Sequence, residues 1–144
     1  MQIVMKFMLL VLITFLGAGL AIVPAQAQTD SRVLVDIPFD FAVGNTTLKA
    51  GSYQVKELQS GILGFSSNDG QQHQFALTVP TDAANSGHQP KLVFVRYGNE
   101  SFLSKVFLSG DDDCLELLRS SRQKTLIQKG ESGEELSLLI QTAP

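Results

Sequence analysis

Three consecutive aspartates, Asp111, Asp112 and Asp113, are the side chains of this chain best suited by type to hold a metal ion. Carboxylate oxygens are the ligands that Ca²⁺ and other hard cations prefer. An EF-hand needs alternating ligands, a central glycine and a distal glutamate, and three adjacent aspartates lack that spacing. Asp113 and Glu116 instead fit a D-x-x-E capping box, which predicts that the aspartates open a helix. The three aspartates are candidate metal ligands, but we expect no bound metal and no other cofactor.

Cys114 is the only cysteine, and His73 and His88 are the only histidines, so nucleophilic or redox chemistry would depend on them. A helix N-terminus favours a reactive thiolate, but neighbouring carboxylates disfavour it, and the sequence predicts a buried apolar Cys114. These groups match no zinc-site spacing, and the chain has no G-x-S-x-G or H-E-x-x-H motif. An enzyme would have to bring at least two of them, Asp112 included, within hydrogen-bonding distance. We therefore assign no catalytic residue.

The elements that position these residues are mostly strands, because apolar and polar residues alternate along the chain. The clearest alternation runs from Val33 to Val43 and places Asp36 and Asp40 on the polar face. Pro38 lies within this run and has no backbone N–H to donate to a neighbouring strand. The strand is therefore predicted at the edge of a sheet or at a bulge.

Further alternating or apolar runs, separated by glycine- and asparagine-rich turn signals, predict strands at 53–58, 62–66, 71–79, 91–97, 101–108 and 135–141. In the strand 71–79, the alternation predicts an inner face made by His73, Phe75, Leu77 and Val79. Residues 114–129 have a helical apolar period, and Gly130 suits the end of a helix. The prediction is a mainly β fold, an antiparallel sandwich or small barrel of about seven strands, with one helix (about 114–129) before the last strand.

The N-terminal segment has the features of a secretory signal peptide in their usual order. Lys6 precedes an uncharged apolar run at 7–23, and Pro24 and the A-x-A sequence 25–27 follow it. We predict a signal peptide at 1–27 and a single β-rich domain at 28–144, exported to the periplasm or the extracellular space. Cleavage would leave no integral membrane span. An uncleaved anchor stays open as an alternative, because the apolar run at 7–23 is longer than the about 7–15 residues that are usual for the h-region of a signal peptide.

Charge and cysteine content exclude two classes of function. The 144 residues include 11 Lys or Arg and 14 Asp or Glu, a net charge of −3. No extended basic run follows the predicted leader, so we expect no nucleic-acid partner. One cysteine cannot form an internal disulfide, so this is not a disulfide-stapled scaffold. A domain of this length can bury an adequate core without such staples.

Two segments of the chain carry a family resemblance. Residues 37–44 (IPFDFAVG) and 48–55 (LKAGSYQV) resemble the pattern I-P-F-x-F-x-V-G … L-P-A-G-x-Y-x-V of a group of small exported bacterial proteins. Residues 93–98 (VFVRYG) resemble the next segment of that group, and Lys49 stands where the group has proline. The resemblance implies an exported, β-rich protein. No activity is assigned to the group, so the resemblance supplies no catalytic or binding residue.

Three functions are compatible with these patterns. We expect a non-enzymatic exported domain that binds a protein or another envelope component through its loops or a strand edge. The first alternative is a carrier of a small apolar ligand, since the phenylalanines of the strands can fill a barrel interior or line a cavity in it. The second alternative is a weak hydrolase or redox enzyme. The sequence alone does not identify the ligand or the partner.

Overall fold

The computed structural model describes residues 32–82, 89–108 and 113–140. Within these ranges it has ten strands and one helix. The elements are β1 (Arg32–Ile37), β2 (Phe41–Val43), β3 (Thr46–Leu48), β4 (Gly51–Gln59), β5 (Ile62–Ser67), β6 (His73–Asp82), β7 (Lys91–Tyr97), β8 (Glu100–Phe107), β9 (Asp113–Leu117), α1 (Ser121–Gln128) and β10 (Glu134–Leu139). The predicted mainly β fold with a helix before the last strand is confirmed.

The strands form one mixed sheet in the order β1-β4-β5-β6-β9-β8. β7 pairs with the other edge of β8, and β10 pairs with β7. The β2–β3 hairpin joins β8 through a parallel pairing between Ala42 and Phe102, whereas the other described pairings are antiparallel. β1 and β10 therefore lie at opposite ends of the sheet. No pairing among the described residues joins them, so the sheet does not close into a barrel.

The predicted strand 33–43 is two strands in the structure. β1 ends before Pro38, and the chain resumes extended pairing at Phe41. The break follows from Pro38, which has no N–H for a strand ladder. The predicted alternation holds on both sides of it, because Val35 and Phe41 are buried. β1 lies at the edge of the sheet, as Pro38 predicts. This break and the short strands β3 and β9 raise the number of strands above the predicted seven.

Aromatic side chains from separate strands fill the interior. The rings of Phe41 and Phe94 are almost fully buried and meet edge to face, with their centroids 5.6 Å apart. Phe41 meets Tyr53 in the same way at 5.2 Å, and Phe94 meets Phe39 at 5.1 Å. Edge-to-face pairs stabilise a core beyond the area that they bury. These rings thus occupy the centre of the sheet's inner face.

β6 turns inward the face opposite to the predicted one. The residues predicted to face the interior are all exposed: His73, Phe75, Leu77 and Val79. Ala76 and Thr78 are buried instead. The predicted alternation with a period of two is confirmed, but the face predicted to point inward was wrong. Small inward side chains on β6 leave room for the large rings of other strands, which is how small and large residues share a tapered β interior.

The helix is shorter than predicted and begins at Ser121 rather than at 114. Residues 113–117 form β9, which pairs with β6 on one side and β8 on the other. The predicted capping box of Asp113 and Glu116 was therefore wrong. Ser120 caps the helix, and its hydroxyl accepts a hydrogen bond of 3.1 Å from the backbone N–H of Gln123. Pairing with two strands outweighs a local helical period, which is only a small preference for each residue.

Candidate functional site

An open seam separates the free edges of β1 and β10. Between them lies a cleft of about 490 Å³, termed the seam cleft, which is lined by Leu34, Val35, Asp36, Ser52, Asn68, Leu138 and Leu139. Among the described pairings, β1 pairs only with β4 and β10 only with β7. Every second residue along each of these edges therefore turns its N–H and C=O away from the one strand with which a pairing is described.

The hydrophobic core reaches the surface at this seam. Leu136 and Leu138 of β10 pack against the core but are only half-buried, and Val35 of β1 is a buried member of that core. On the outer side of the same strands, Leu34 is 54% exposed and Leu139 is 59% exposed. Apolar side chains thus flank the seam on both faces of the sheet. An additional strand placed here would cover them.

Polar side chains line one end of the seam cleft. Ser52 and Asn68 also belong to an adjoining cleft of about 370 Å³, termed the polar cleft. The hydroxyl of Ser52 donates to the carboxylate of Asp36. The hydroxyl of Tyr53 donates to the carbonyl oxygen of Lys49 at 2.6 Å and lies 2.8 Å from Gln72 Oε1. These bonds connect the start of β4 to the turn before β6 and fix the wall of the polar cleft.

The pKa values of the ionisable groups at and beside the polar cleft are shifted away from neutral pH. Asp40 and Lys49 form an exposed ion pair of 2.8 Å. The hydrogen bond from Lys49, helped by the N–H of Ala50, lowers the pKa of Asp40, and Asp40 in turn raises the pKa of Lys49. Burial, followed by the charges of Asp69 and Asp40, raises the pKa of Tyr53. The wall is therefore suited to binding by hydrogen bonds rather than to proton transfer at neutral pH.

The carboxylate of Asp69, which lines the polar cleft, is held ionised by its own loop. The hydroxyl of Ser67 and then the N–H of Gln71 donate to Asp69 and lower its pKa. Such Asx-type bonds stabilise a tight turn. The carboxylate thus shapes the loop that forms one wall of the cleft.

Ser66 and His73 form a hydroxyl–imidazole pair on the outer side of the β5–β6 hairpin. The Oγ of Ser66 is 2.9 Å from Nδ1 of His73, and Nε2 of the same ring is 3.2 Å from the carbonyl oxygen of Gly70. Neither residue lines the seam cleft or the polar cleft. The two contacts tie the first residue of β6 to the preceding turn, so the structure favours a role in holding the hairpin.

The structure keeps His73 and Cys114 apart. His73 begins β6, whereas Cys114 pairs with Thr81 of the same strand, which places the two positions about 26 Å apart along β6. Cys114 is buried beside Val93 and Phe107, as predicted for an apolar cysteine, although it lies in a strand and not in a helix.

The candidate metal ligands fall at or beyond the edge of what the structure describes. Asp111 and Asp112 lie outside the described residues, as does His88. Asp113 is the first residue of β9 and pairs with Asp82. Within residues 32–82, 89–108 and 113–140, no cluster of three His, Cys, Asp or Glu side chains could hold a metal ion.

Comparisons with protein-family models, with curated proteins and with solved structures found no match. Among the described residues, no helix has the length and apolar character needed to cross a bilayer. The predicted signal peptide, 1–27, lies outside the described residues.

Sequence patterns identify both strands of the seam but not their proximity. Pro38 marks β1 as an edge strand, and the period of two predicts Leu136 and Leu138 on the inner face of the last strand. Nothing in these local patterns shows that the sheet brings its first and last strands to one cleft. The only local sign of the seam is that Leu34 and Leu139 are apolar on the face where neighbouring residues are polar.

Proposed function

We propose that this chain is an exported, non-enzymatic binding domain that accepts an extended segment of a partner protein between β1 and β10. The observation that carries this proposal is the seam cleft, where two free strand edges flank an exposed part of the core. Extended peptides add to free sheet edges through main-chain hydrogen bonds, and alternate side chains supply specificity.

The lining of the seam cleft indicates which segment would fit. Side chains of an added strand alternate between the two faces of the sheet. Those pointing inward would meet Val35, Leu136 and Leu138, so we expect apolar residues there. Those pointing outward would lie between Leu34 and Leu139. The end of the segment nearest Ser52 would meet hydroxyl and carboxylate groups and should be polar.

The location of the partner follows from the N-terminal pattern. A leader with the features of residues 1–27 directs export, and an exported domain meets partners in the envelope or outside the cell. The filled interior supports a binding function at the edge over the alternative of an apolar-ligand carrier, since Phe41 and Phe94 occupy the centre. The wide separation of His73 and Cys114 supports it over an enzyme that uses both groups.

Hydrogen exchange with a designed peptide tests the proposal. The probe is a short peptide of alternating valine and threonine with a lysine at each end, added to the purified protein. Strand addition should slow amide exchange in β1 and β10 because their free edges gain partners. A peptide of the same sequence with every backbone amide N-methylated keeps the side chains but loses the donors on both of its edges, and it should give no protection. Equal protection by both peptides, or protection confined to other strands, would contradict the proposal.

A pair of matched variants tests the position of the site. Leu139→Lys places a charge on the outer side of β10, where Leu139 lines the seam cleft. This variant should weaken peptide binding, since charged side chains at a strand edge discourage pairing. Leu118→Lys is the control, because Leu118 is 57% exposed, close to the 59% of Leu139, and does not line the seam cleft. Equal affinity of the two variants would place peptide binding elsewhere.

A further inference from the structure

The two edges of the seam run in opposite directions. Apart from the β2–β3 hairpin, the sheet passes through eight strands in the order β1-β4-β5-β6-β9-β8-β7-β10. Every pairing in this series is antiparallel, and the seven steps leave β10 antiparallel to β1. A ring of about eight strands has an interior just wide enough for side chains to fill, as they do here. β1 and β10 thus have the relative direction that closure of such a ring requires.

In β1, the backbone groups of Leu34 and Asp36 face the seam. The N–H of Asn68 donates to the carbonyl oxygen of Ser52 at 2.8 Å, so Ser52 turns its backbone groups toward β5 and the next residue of β4 turns toward β1. That next residue pairs with Val35, whose N–H and C=O therefore point toward β4. The residues on either side of Val35 point the other way.

In β10, the backbone groups of Ser137 and Leu139 face the seam. The N–H of Ile140 donates to the carbonyl oxygen of Pro90 at 3.0 Å, so Ile140 turns toward β7, and so does Leu138 two residues before it. Ser137 and Leu139 point away from β7 and have exposed side chains. On both edges, the residues with outward side chains therefore present N–H and C=O to the seam, which is the phase that antiparallel partners share.

One register between the two edges suits the outward side chains best. With Leu34 opposite Leu139, Asp36 falls opposite Ser137, which gives one apolar pair and one carboxylate–hydroxyl pair. A shift by one residue would set inward side chains against outward ones. A shift by two residues sets Asp36 opposite either Glu135 or Leu139. The first places like charges directly opposite, which is destabilising, and the second places a carboxylate against an apolar side chain.

The same register pairs apolar side chains on the inner side. Val35 falls opposite Leu138, and Ile37 falls opposite Leu136. The two β1 residues are buried in the core, whereas the two leucines pack against it and are only half-buried. Direct pairing of the edges would cover both leucines.

We propose that β1 and β10 also pair directly in this register, which closes the seam and completes an eight-stranded barrel. This pairing is termed the latch, and the structure has it open. Its two outward pairs would exchange two backbone hydrogen bonds each, and the next β1 position in phase is Pro38, which has no N–H. So few bonds stabilise the closed form only modestly, so a partner segment can displace it. This competition rests on the proposed function, whereas closure itself does not.

Disulfide trapping tests the latch. Leu34→Cys with Leu139→Cys sets two thiols directly opposite across the closed seam, with Cα atoms about 5.5 Å apart and within disulfide range. The shifted pairs Leu34→Cys with Ser137→Cys and Asp36→Cys with Leu139→Cys would be diagonal neighbours about 7–8 Å apart, so in a glutathione buffer their bridges should form about tenfold less favourably or worse. Peptide mapping distinguishes these bridges from any bond to the buried Cys114.

The fold of the bridged protein should be unchanged by circular dichroism, because Leu34 and Leu139 are 54% and 59% exposed. Its bridge should abolish the protection that the valine–threonine peptide gives to β1 and β10, and reduction should restore that protection. Undiminished peptide binding to the bridged form would show that the latch does not regulate the site.

The trapping result and the peptide result separate the two proposals. Equal bridging of the opposite and the shifted pairs, or no bridging in any of them, would contradict the latch even where the peptide protects the original chain. Preferred bridging of Leu34→Cys with Leu139→Cys, together with no peptide protection of the original chain, would support the latch and contradict the proposed function.

Discussion

Arg122 of α1 donates hydrogen bonds from two of its nitrogens to the carboxylate of Glu100, the first residue of β8. Its Nε lies 3.1 Å from both carboxylate oxygens, and its Nη2 lies 2.5 Å from Oε1. The N–H of Ser121 also donates to Asn45 Oδ1 at 3.1 Å, in the turn between β2 and β3. The first turn of the helix is thus hydrogen-bonded both to the start of β8 and to the turn between β2 and β3. This geometry explains how a helix of only eight residues keeps a fixed place on the sheet.

The Arg122–Glu100 pair should make the protein more stable above the titration range of Glu100 than within it. The hydrogen bond from Arg122 lowers the pKa of Glu100 below its ordinary value of 4.5. Stability from the pair is therefore complete above about pH 4.5 and is lost as the pH falls through the lowered pKa. In Arg122→Gln, melting temperature should fall less on acidification than in the original chain. Arg119→Gln, just before the helix, is the control, and equal acid dependence in all three proteins would contradict this reasoning.

The ion pair is exposed, with 54% of the Arg122 side chain and 43% of the Glu100 side chain open to solvent. Salt screens such pairs. The difference in melting temperature between the original chain and Arg122→Gln at neutral pH should therefore be small and should shrink at high salt. A difference that grows with salt would assign the effect of Arg122 to its packing rather than to its charge.

Tyr53→Phe should destabilise the domain and remove part of its sensitivity to alkali. The side chain is 2% exposed, and loss of its hydroxyl bond to the carbonyl oxygen of Lys49 should cost about 1 kcal/mol. Burial raises the pKa of Tyr53 above its ordinary value of 10.0. A raised pKa means that stability is complete below about pH 10 and is lost as the pH rises through the raised value.

Urea unfolding at neutral pH and above pH 10 measures both effects of Tyr53. Tyr97→Phe is the matched control, because Tyr97 is the only other tyrosine of the chain. The original chain and Tyr97→Phe should lose stability in alkali, and Tyr53→Phe should lose less. If the Tyr53 variant loses as much as the control, ionisation of Tyr53 does not limit alkaline stability.

Local patterns predicted correctly where one physical requirement decided the outcome. Pro38 cannot join a central ladder, and β1 does lie at the edge. The period of two placed Val35 and Phe41 inside, because several large apolar residues of the same parity had to share one interior. The patterns failed where pairing with strands distant in sequence determined the local structure. β9 is a strand because β6 and β8 hold it on both sides, and that pairing is invisible in residues 113–117.

The candidate site was beyond local prediction for the same reason. The seam cleft exists because the order of ten strands brings β1 and β10 to opposite ends of the sheet without pairing them. The one parallel pairing among the described strands, between Ala42 and Phe102, also attaches the β2–β3 hairpin to β8. Alternation identifies faces within a strand, but it carries no information on which strands are neighbours. Leu138 was predicted to point inward, and its partial exposure follows only from the open edge.

Ser120→Ala should show where the helix begins. The hydroxyl of Ser120 is buried and accepts from the N–H of Gln123, so its loss should destabilise the domain by about 1 kcal/mol. Ser121→Ala is the control, because the exposed side chain of the next residue is not the cap and alanine is a better helix former. Urea unfolding of both variants measures the difference. Equal stability of the two variants would mean that Ser120 does not cap α1.

Phe94→Ala and Phe75→Ala should differ sharply although each removes one phenylalanine from a strand. Phe94 is fully buried and its ring meets two other rings, so truncation should cost about 3–5 kcal/mol. Phe75 is 64% exposed, and its truncation should change stability by about 0.5 kcal/mol or less in the monomer. Denaturant unfolding at low protein concentration measures both. A large loss in Phe75→Ala would show that β6 turns its other face inward.

Thr78→Val should stabilise the domain by about 1 kcal/mol. The Oγ1 atom of Thr78 is buried and has no hydrogen-bond partner among the described residues. Valine has the same shape, retains the backbone N–H that donates to Gly61 at 2.8 Å, and removes the unsatisfied hydroxyl. Thr81→Val is the control, because the Thr81 hydroxyl donates to the carbonyl oxygen of Cys114 and its removal should give no gain. Both free energies of unfolding come from urea titrations, and a destabilised Thr78→Val would mean that this hydroxyl is satisfied by a group such as a buried water.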